Sequence, residues 1–97
     1  SWVLAGPEQG ENIAFGSSCH GAGRRLSRAA ARAAVDPIEL KERLANQGVI
    51  VRAKSETMLS EEAPSAYKDV DQVIDLTERA GLARKVARMR PKIVIKG

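Results

Sequence analysis

Cysteine, histidine and aromatic side chains are scarce in this 97-residue chain, and each scarcity narrows what it can be. The single Cys19 has no partner for an internal disulfide, so the expected setting is reducing and cytoplasmic. One cysteine beside one histidine, His20, is too few soft ligands for a typical metal site. Glu61 and Glu62 could add oxygen ligands, but their spacing does not ask for a metal, and they read as a solvated acidic turn. Trp2, Phe15 and Tyr67 are the only aromatic residues, and fifteen residues are alanine. The core must therefore be built from Val, Ile, Leu and Met, in a chain too short to bury a large share of its surface. One segment of a larger protein fits that composition better than a free-standing domain. No apolar run approaches the ~18 residues of a membrane span. No charged leader followed by an apolar stretch suggests a signal peptide, and the chain opens at Ser1 inside the strand-like "SWVLAG".

Acidic residues are missing from two stretches. None lies between His20 and Val35, where Arg24, Arg25, Arg28 and Arg32 fall, and none follows Glu78, where seven basic residues do. The net charge of +4 is thus concentrated in two basic segments, which suits a polyanionic partner such as nucleic acid or nucleotide phosphate. A solvated basic face is the plainer reading of the same charges.

The class expected is α+β, with short strands and three or so helices. "WVLAG" reads as a strand, "GPEQGEN" as a turn and "IAFGSSC" as a second strand that pairs with the first in a hairpin. Ser27 caps an alanine-rich helix to about Ala34. Asp36, Pro37 and Glu39 start another, which ends at Gly48. "VIVRA" is a β-branched strand, and "EEAPSAYK" a proline-initiated turn or short helix. Asp69 caps a helix with Val70, Val73, Ile74, Thr77 and Ala80 on one face, ended by Gly81. The closing "ARKVARMRPKIVIKG" is extended, with Pro91 marking an edge or a bend.

The chemistry concentrates in "SSCHGAGRRLSR". Glycine on both sides of Ala22 lets backbone N–H groups converge on an anion ahead of a helix N-terminus. Arg24 and Arg28 are near enough in sequence to add charge-assisted hydrogen bonds to phosphate. His20 at the mouth of that loop could ligate phosphate, donate a proton or attack phosphorus as a neutral imidazole. Taken locally, a Gly-x-Gly turn is often only a turn, and a lone histidine is more often structural. Cys19 ends an apolar stretch and reads as a small buried residue.

That segment closely resembles the signature of the RtcB-type RNA ligases. The resemblance continues in "EEAPSAYKDVDQVI" and in "VARMRPKIVIKG", while "SWVLAG" is similar to the end of a serine-rich family motif. Four matches in family order cover residues 1–97 as a single segment, which would be the C-terminal part of a much longer catalytic domain and of the RtcB-type fold. Trp2 stands where tyrosine is common, Leu26 where methionine is frequent, and Lys92 and Ile93 replace a less charged pair.

The resemblance implies a GTP- and manganese-dependent ligase that joins an RNA 3′-phosphate, or 2′,3′-cyclic phosphate, to a 5′-hydroxyl in tRNA splicing and RNA repair. In it His20 is the nucleophile that becomes guanylylated, and Gly21, Ala22 and Gly23 contact the GMP. Lys96 is a further nucleotide contact, Ser1 matches a serine of the pocket, and Tyr67 lines it. Arg24 and Arg28 anchor RNA phosphate. An archease-like activator belongs to the same family picture. The family's manganese ligands lie upstream of the matched segments, so this chain alone is expected to be inactive. Two other readings stay open: a non-catalytic basic module that binds RNA or phosphate, and a fragment whose apolar faces dock on a missing part.

Overall fold

The computed structural model describes residues 1–8 and 14–97. In chain order the elements are β1 (Trp2–Ala5), α1 (Arg28–Ala34), α2 (Pro37–Asn46), β2 (Ile50–Ala53), α3 (Glu56–Glu61), a 3₁₀ turn (Pro64–Ala66), α4 (Val70–Arg79), β3 (Arg84–Arg88) and β4 (Ile93–Lys96). This is the α+β mixture expected. No helix among the described residues is long and apolar enough to cross a membrane. The chain forms two compact units, one from residues 1–23 and 68–90, the other from 24–67 and 91–97.

In the first unit β1 pairs with β3 in antiparallel fashion, from Trp2 opposite Arg88 to Ala5 opposite Arg84, with an irregularity between Val3 and Leu4. Asp69 caps α4 by accepting from the Asp71 N–H at 2.8 Å, and α4 buries Ile74 and Thr77. Asp71 then fastens the pair to the helix. One of its oxygens accepts from the Trp2 indole N–H at 2.8 Å, and the other lies 2.7 Å from Arg88. Lys85 and Arg88 approach the Trp2 ring to 5.7 and 5.9 Å, within reach of cation–π attraction. Gly81, at φ +74°, ends the helix as its sequence position suggests.

The hairpin expected between "WVLAG" and "IAFGSSC" does not form among the described residues. Residues 9–13, part of the expected turn and the start of the second strand, lie outside them. From Ala14 to Gly16 the chain turns, closed by the Ser17 N–H donating to the Ala14 carbonyl at 2.8 Å, and Ser17–Cys19 belongs to no strand. Phe15 and Gly16 both take the left-handed conformation, φ +52° and +69°, which a strand cannot contain. Phe15 is fully exposed there, and the partner of β1 comes from the far end of the sequence.

The second unit is built on local helix signals. Ser27 accepts from the Ala30 N–H at 3.1 Å, and Asp36 accepts from Ile38 at 2.7 Å with Pro37 in the first turn. Gly48 takes φ +74° just past α2. Leu40, Leu59 and Ala63 form the core, with Val35, Leu44, Val51 and Ala53 packed against them. β2 and β4 pair in parallel, Ile50 opposite Ile93 through Ala53 opposite Lys96. The helix α3 was not anticipated. Its Ser55 cap, which accepts from Met58 at 3.2 Å, was the available signal, but six residues carry too few apolar positions to show a helical period. Pro91 falls between β3 and β4, where the chain leaves one unit for the other.

Candidate functional site

The glycine loop lies in the first unit. His20 is exposed on a bend, and Gly23 adopts φ +75°, a conformation that would strain any residue with a Cβ. Among the described residues the N–H groups of Gly21, Ala22 and Gly23 donate to no backbone acceptor. Three successive unpaired donors beside an exposed imidazole can receive an anion without breaking a bond. The Lys68 N–H donates to the Gly23 carbonyl at 3.0 Å, and the Lys68 ammonium lies 4.0 Å from where a Cβ on Gly23 would sit. Lys68 thus adds positive charge to this loop, a residue that sequence reasoning passed over because it lies 45 positions away. Cys19 is half-buried with its sulfur 3.3 Å from the Thr77 hydroxyl, in keeping with a small packed residue. Ser1 directly precedes β1, and its carbonyl accepts from the Met89 N–H at 2.8 Å.

The other expected site residues meet in the second unit. Arg24 and Tyr67 form an isolated antiparallel bridge, and the N–H groups of Arg25 and Leu26 both donate to the carbonyl of the buried Ala66, at 2.8 and 3.1 Å. That backbone framework aims the two side chains at each other. The Arg24 guanidinium stands 4.9 Å from the Tyr67 ring centre and donates to the phenol oxygen at 3.2 Å. It also donates to the Leu26 carbonyl at 3.0 Å, to the Glu61 carbonyl at 2.5 Å and to Glu62 Oε1 at 3.4 Å. Tyr67 in turn donates its hydroxyl proton to Glu62 Oε2, and the Lys96 ammonium lies 3.6 Å from the same oxygen.

Glu61 and Glu62 are therefore not a solvated acidic turn. Each side chain is only 18% exposed, and the pair gathers the basic residues of the unit. Glu61 takes Arg32 at 2.5 Å and Arg28 at 3.6 Å; Arg28 keeps 65% of its side chain exposed. The sequence placed the acids two turns past any basic residue, so only the packing of α3 beside α1 could reveal the pairing. The Tyr67 hydrogen bond holds the Glu62 carboxyl below the usual carboxylate range, reinforced by Lys96 and Arg24 against the cost of partial burial. The same bond, with burial and the Glu62 charge, raises the Tyr67 phenol. Both shifts describe one contact: a carboxylate that stays ionised and a phenol that keeps its proton.

No group of three or more His, Cys, Asp or Glu side chains among the described residues could hold a metal ion. The described residues do not fit a manganese site of their own.

The family model described as tRNA-splicing ligase RtcB matches residues 1–97. A tRNA-splicing ligase RtcB from Thermococcus kodakarensis is 52% identical over 97 residues, all of this chain but 20% of the relative's length. Those from Pyrococcus abyssi and Pyrobaculum aerophilum are 50% and 46% identical over the same span, which is 11% and 20% of their lengths. The chain thus spans a fifth or less of these curated relatives. Because the family model matches all 97 residues of the chain and about half of those residues are identical in these ligases, the chain belongs to the RtcB family of tRNA-splicing ligases.

Proposed function

We propose that this chain is the nucleophile-bearing segment of a longer GTP-dependent RNA ligase that seals 3′-phosphate and 5′-hydroxyl ends. The observation that carries the reading is His20, exposed beside three backbone donors without backbone acceptors, in a chain of this family. A neutral imidazole nitrogen attacks the α-phosphorus of GTP. An N–P bond forms, the P–O bond to the leaving pyrophosphate breaks, and the imidazole gives up its other proton to solvent. GMP then passes to an RNA 3′-phosphate oxygen, restoring imidazole, and an incoming 5′-hydroxyl displaces GMP to form the new phosphodiester. The N–H groups of Gly21, Ala22 and Gly23 stabilise the charge that builds on the phosphoryl oxygens. Tyr67 and Lys96 meet the nucleotide, and Ser1 adds a hydroxyl to its pocket. Manganese, where the reaction uses it, would be held by other parts of the longer protein.

Mass spectrometry after incubation with GTP and manganese tests this. The longer protein should gain one GMP on His20, and the isolated 97-residue chain should gain none. A longer protein that stays unmodified while retaining RNA affinity would leave a phosphate-binding module as the better account.

Arg28 is the better placed of the two RNA contacts. Arg24 has internal acceptors for its guanidinium, whereas Arg28 has one longer contact and a mostly exposed side chain. Replacing Arg28 with alanine should weaken RNA binding uniformly across sequences and lower the slope of log affinity against log salt by about 1. An unchanged slope, measured by filter binding across a salt series, would remove Arg28 from the interface.

A further inference from the structure

We infer that Glu62 is a positioning residue for nucleotide binding: one carboxylate holds Tyr67 and Lys96 in place through direct contacts and steadies Arg24 against the Tyr67 ring. The inference rests on the reading that Tyr67 and Lys96 meet the guanosine of GTP.

Three stretches far apart in sequence converge on this side chain. Tyr67 follows the Pro64–Ala66 turn, Lys96 closes β4, and Arg24 precedes α1. Tyr67 and Lys96 share Oε2, and Arg24 takes Oε1 at 3.4 Å. Such multiplicity is more than the backbone needs. The Arg24–Tyr67 bridge and the two N–H bonds to the Ala66 carbonyl fix the main chain without any help from Glu62. Nor is the position locally favourable. Glu62 is the C-terminal cap residue of α3, where the helix dipole disfavours a negative charge. What compensates is the set of cations and the phenol that the carboxylate gathers.

The consequence is preorganisation. A lysine on a flexible four-carbon stem loses much rotamer freedom when it grips a ligand. A carboxylate that already restrains the ammonium removes part of that loss before the nucleotide arrives. Because Tyr67 donates to Glu62 and accepts from Arg24, its hydroxyl is engaged on both counts, which fixes the plane of its ring.

The test uses the longer ligase and the rate of GMP transfer to the enzyme at varied GTP. Glu62→Gln keeps the shape and an acceptor for the phenol but removes the charge. It should raise the GTP KM about tenfold while kcat falls less than about threefold. In a Lys96→Met background the same substitution should add less than about twofold, because the two residues act through one contact. A scaffolding role would instead give the same rise in both backgrounds, which would overturn the inference, as would a GTP KM within about twofold of the parent. Should the Gln variant fail to fold, Glu62→Asp retains the charge one methylene further back. It too should raise the GTP KM, and an unaltered value overturns the proposal. A parent enzyme that forms no GMP adduct discards the ligase reading and this inference together. A normal adduct with an unmoved KM discards the role of Glu62 alone.

Discussion

Replacing His20 with alanine in the longer protein should abolish the proposed GMP adduct and lower ligation by at least ~10³-fold, the scale lost when a nucleophile that carries a covalent intermediate is removed. The expectation is this large because, in the reaction proposed above, the imidazole provides the bond that the intermediate is made of, rather than one contact among several. No other histidine exists in the chain, and the half-buried Cys19 has its sulfur 3.3 Å from the Thr77 hydroxyl. His20 is exposed, so its loss should leave the melting temperature within the small range usual for surface substitutions. GTP binding should persist, since the Gly21–Gly23 donors remain. Intact-protein mass spectrometry, thermal unfolding and a ligation assay on the same preparation separate the possibilities. An adduct that survives the substitution would move the nucleophile elsewhere. A large drop in melting temperature would make His20 structural after all.

The second large effect concerns packing. Leu40 is 1% exposed and forms the centre of the core with Leu59 and Ala63. Leu40→Ala removes three heavy atoms from a site ringed by Val35, Leu44, Val51 and Ala53, at an expected cost of about 2–5 kcal/mol. Stabilities of whole domains are only about 5–15 kcal/mol, so such a loss threatens the fold of this unit. Native-state hydrogen exchange in the longer protein reads it directly, as a fall in opening free energy of that size for the amides of α2, α3 and β2. A change under about 1 kcal/mol would mean that the site collapses and leaves no cavity. The same variant should disturb the basic cluster, because α3 delivers Glu61 and Glu62 at its end.

Much of the local structure was written in local chemistry. Ser27, Asp36 and Asp69 each accept the backbone N–H that a helix start leaves unpaired, and Gly48 and Gly81 take the left-handed turn that ends a helix cheaply. These devices act within four residues, so reading along the chain finds them. The α+β class followed, as did the "HGAG" loop with Gly23 at positive φ, and the family, whose segments lie in order along the chain.

Strand partners and the acidic hub were decided by tertiary structure. A strand shows one row of donors and acceptors to any neighbour, and its sequence does not name which neighbour fills it. β1 accordingly pairs with β3 from the far end of the chain, while "IAFGSSC" turns away at Phe15. Glu61 and Glu62 read as solvated because no basic residue lies within a helical turn of them. Their partners Arg24, Arg28, Arg32 and Lys96 arrive only when α1, α3 and β4 have packed. Charge pairing at a distance in sequence depends on where the backbone folds, and that is the physical reason the chain alone showed its histidine and glycine loop but not the basic partners of Glu61 and Glu62.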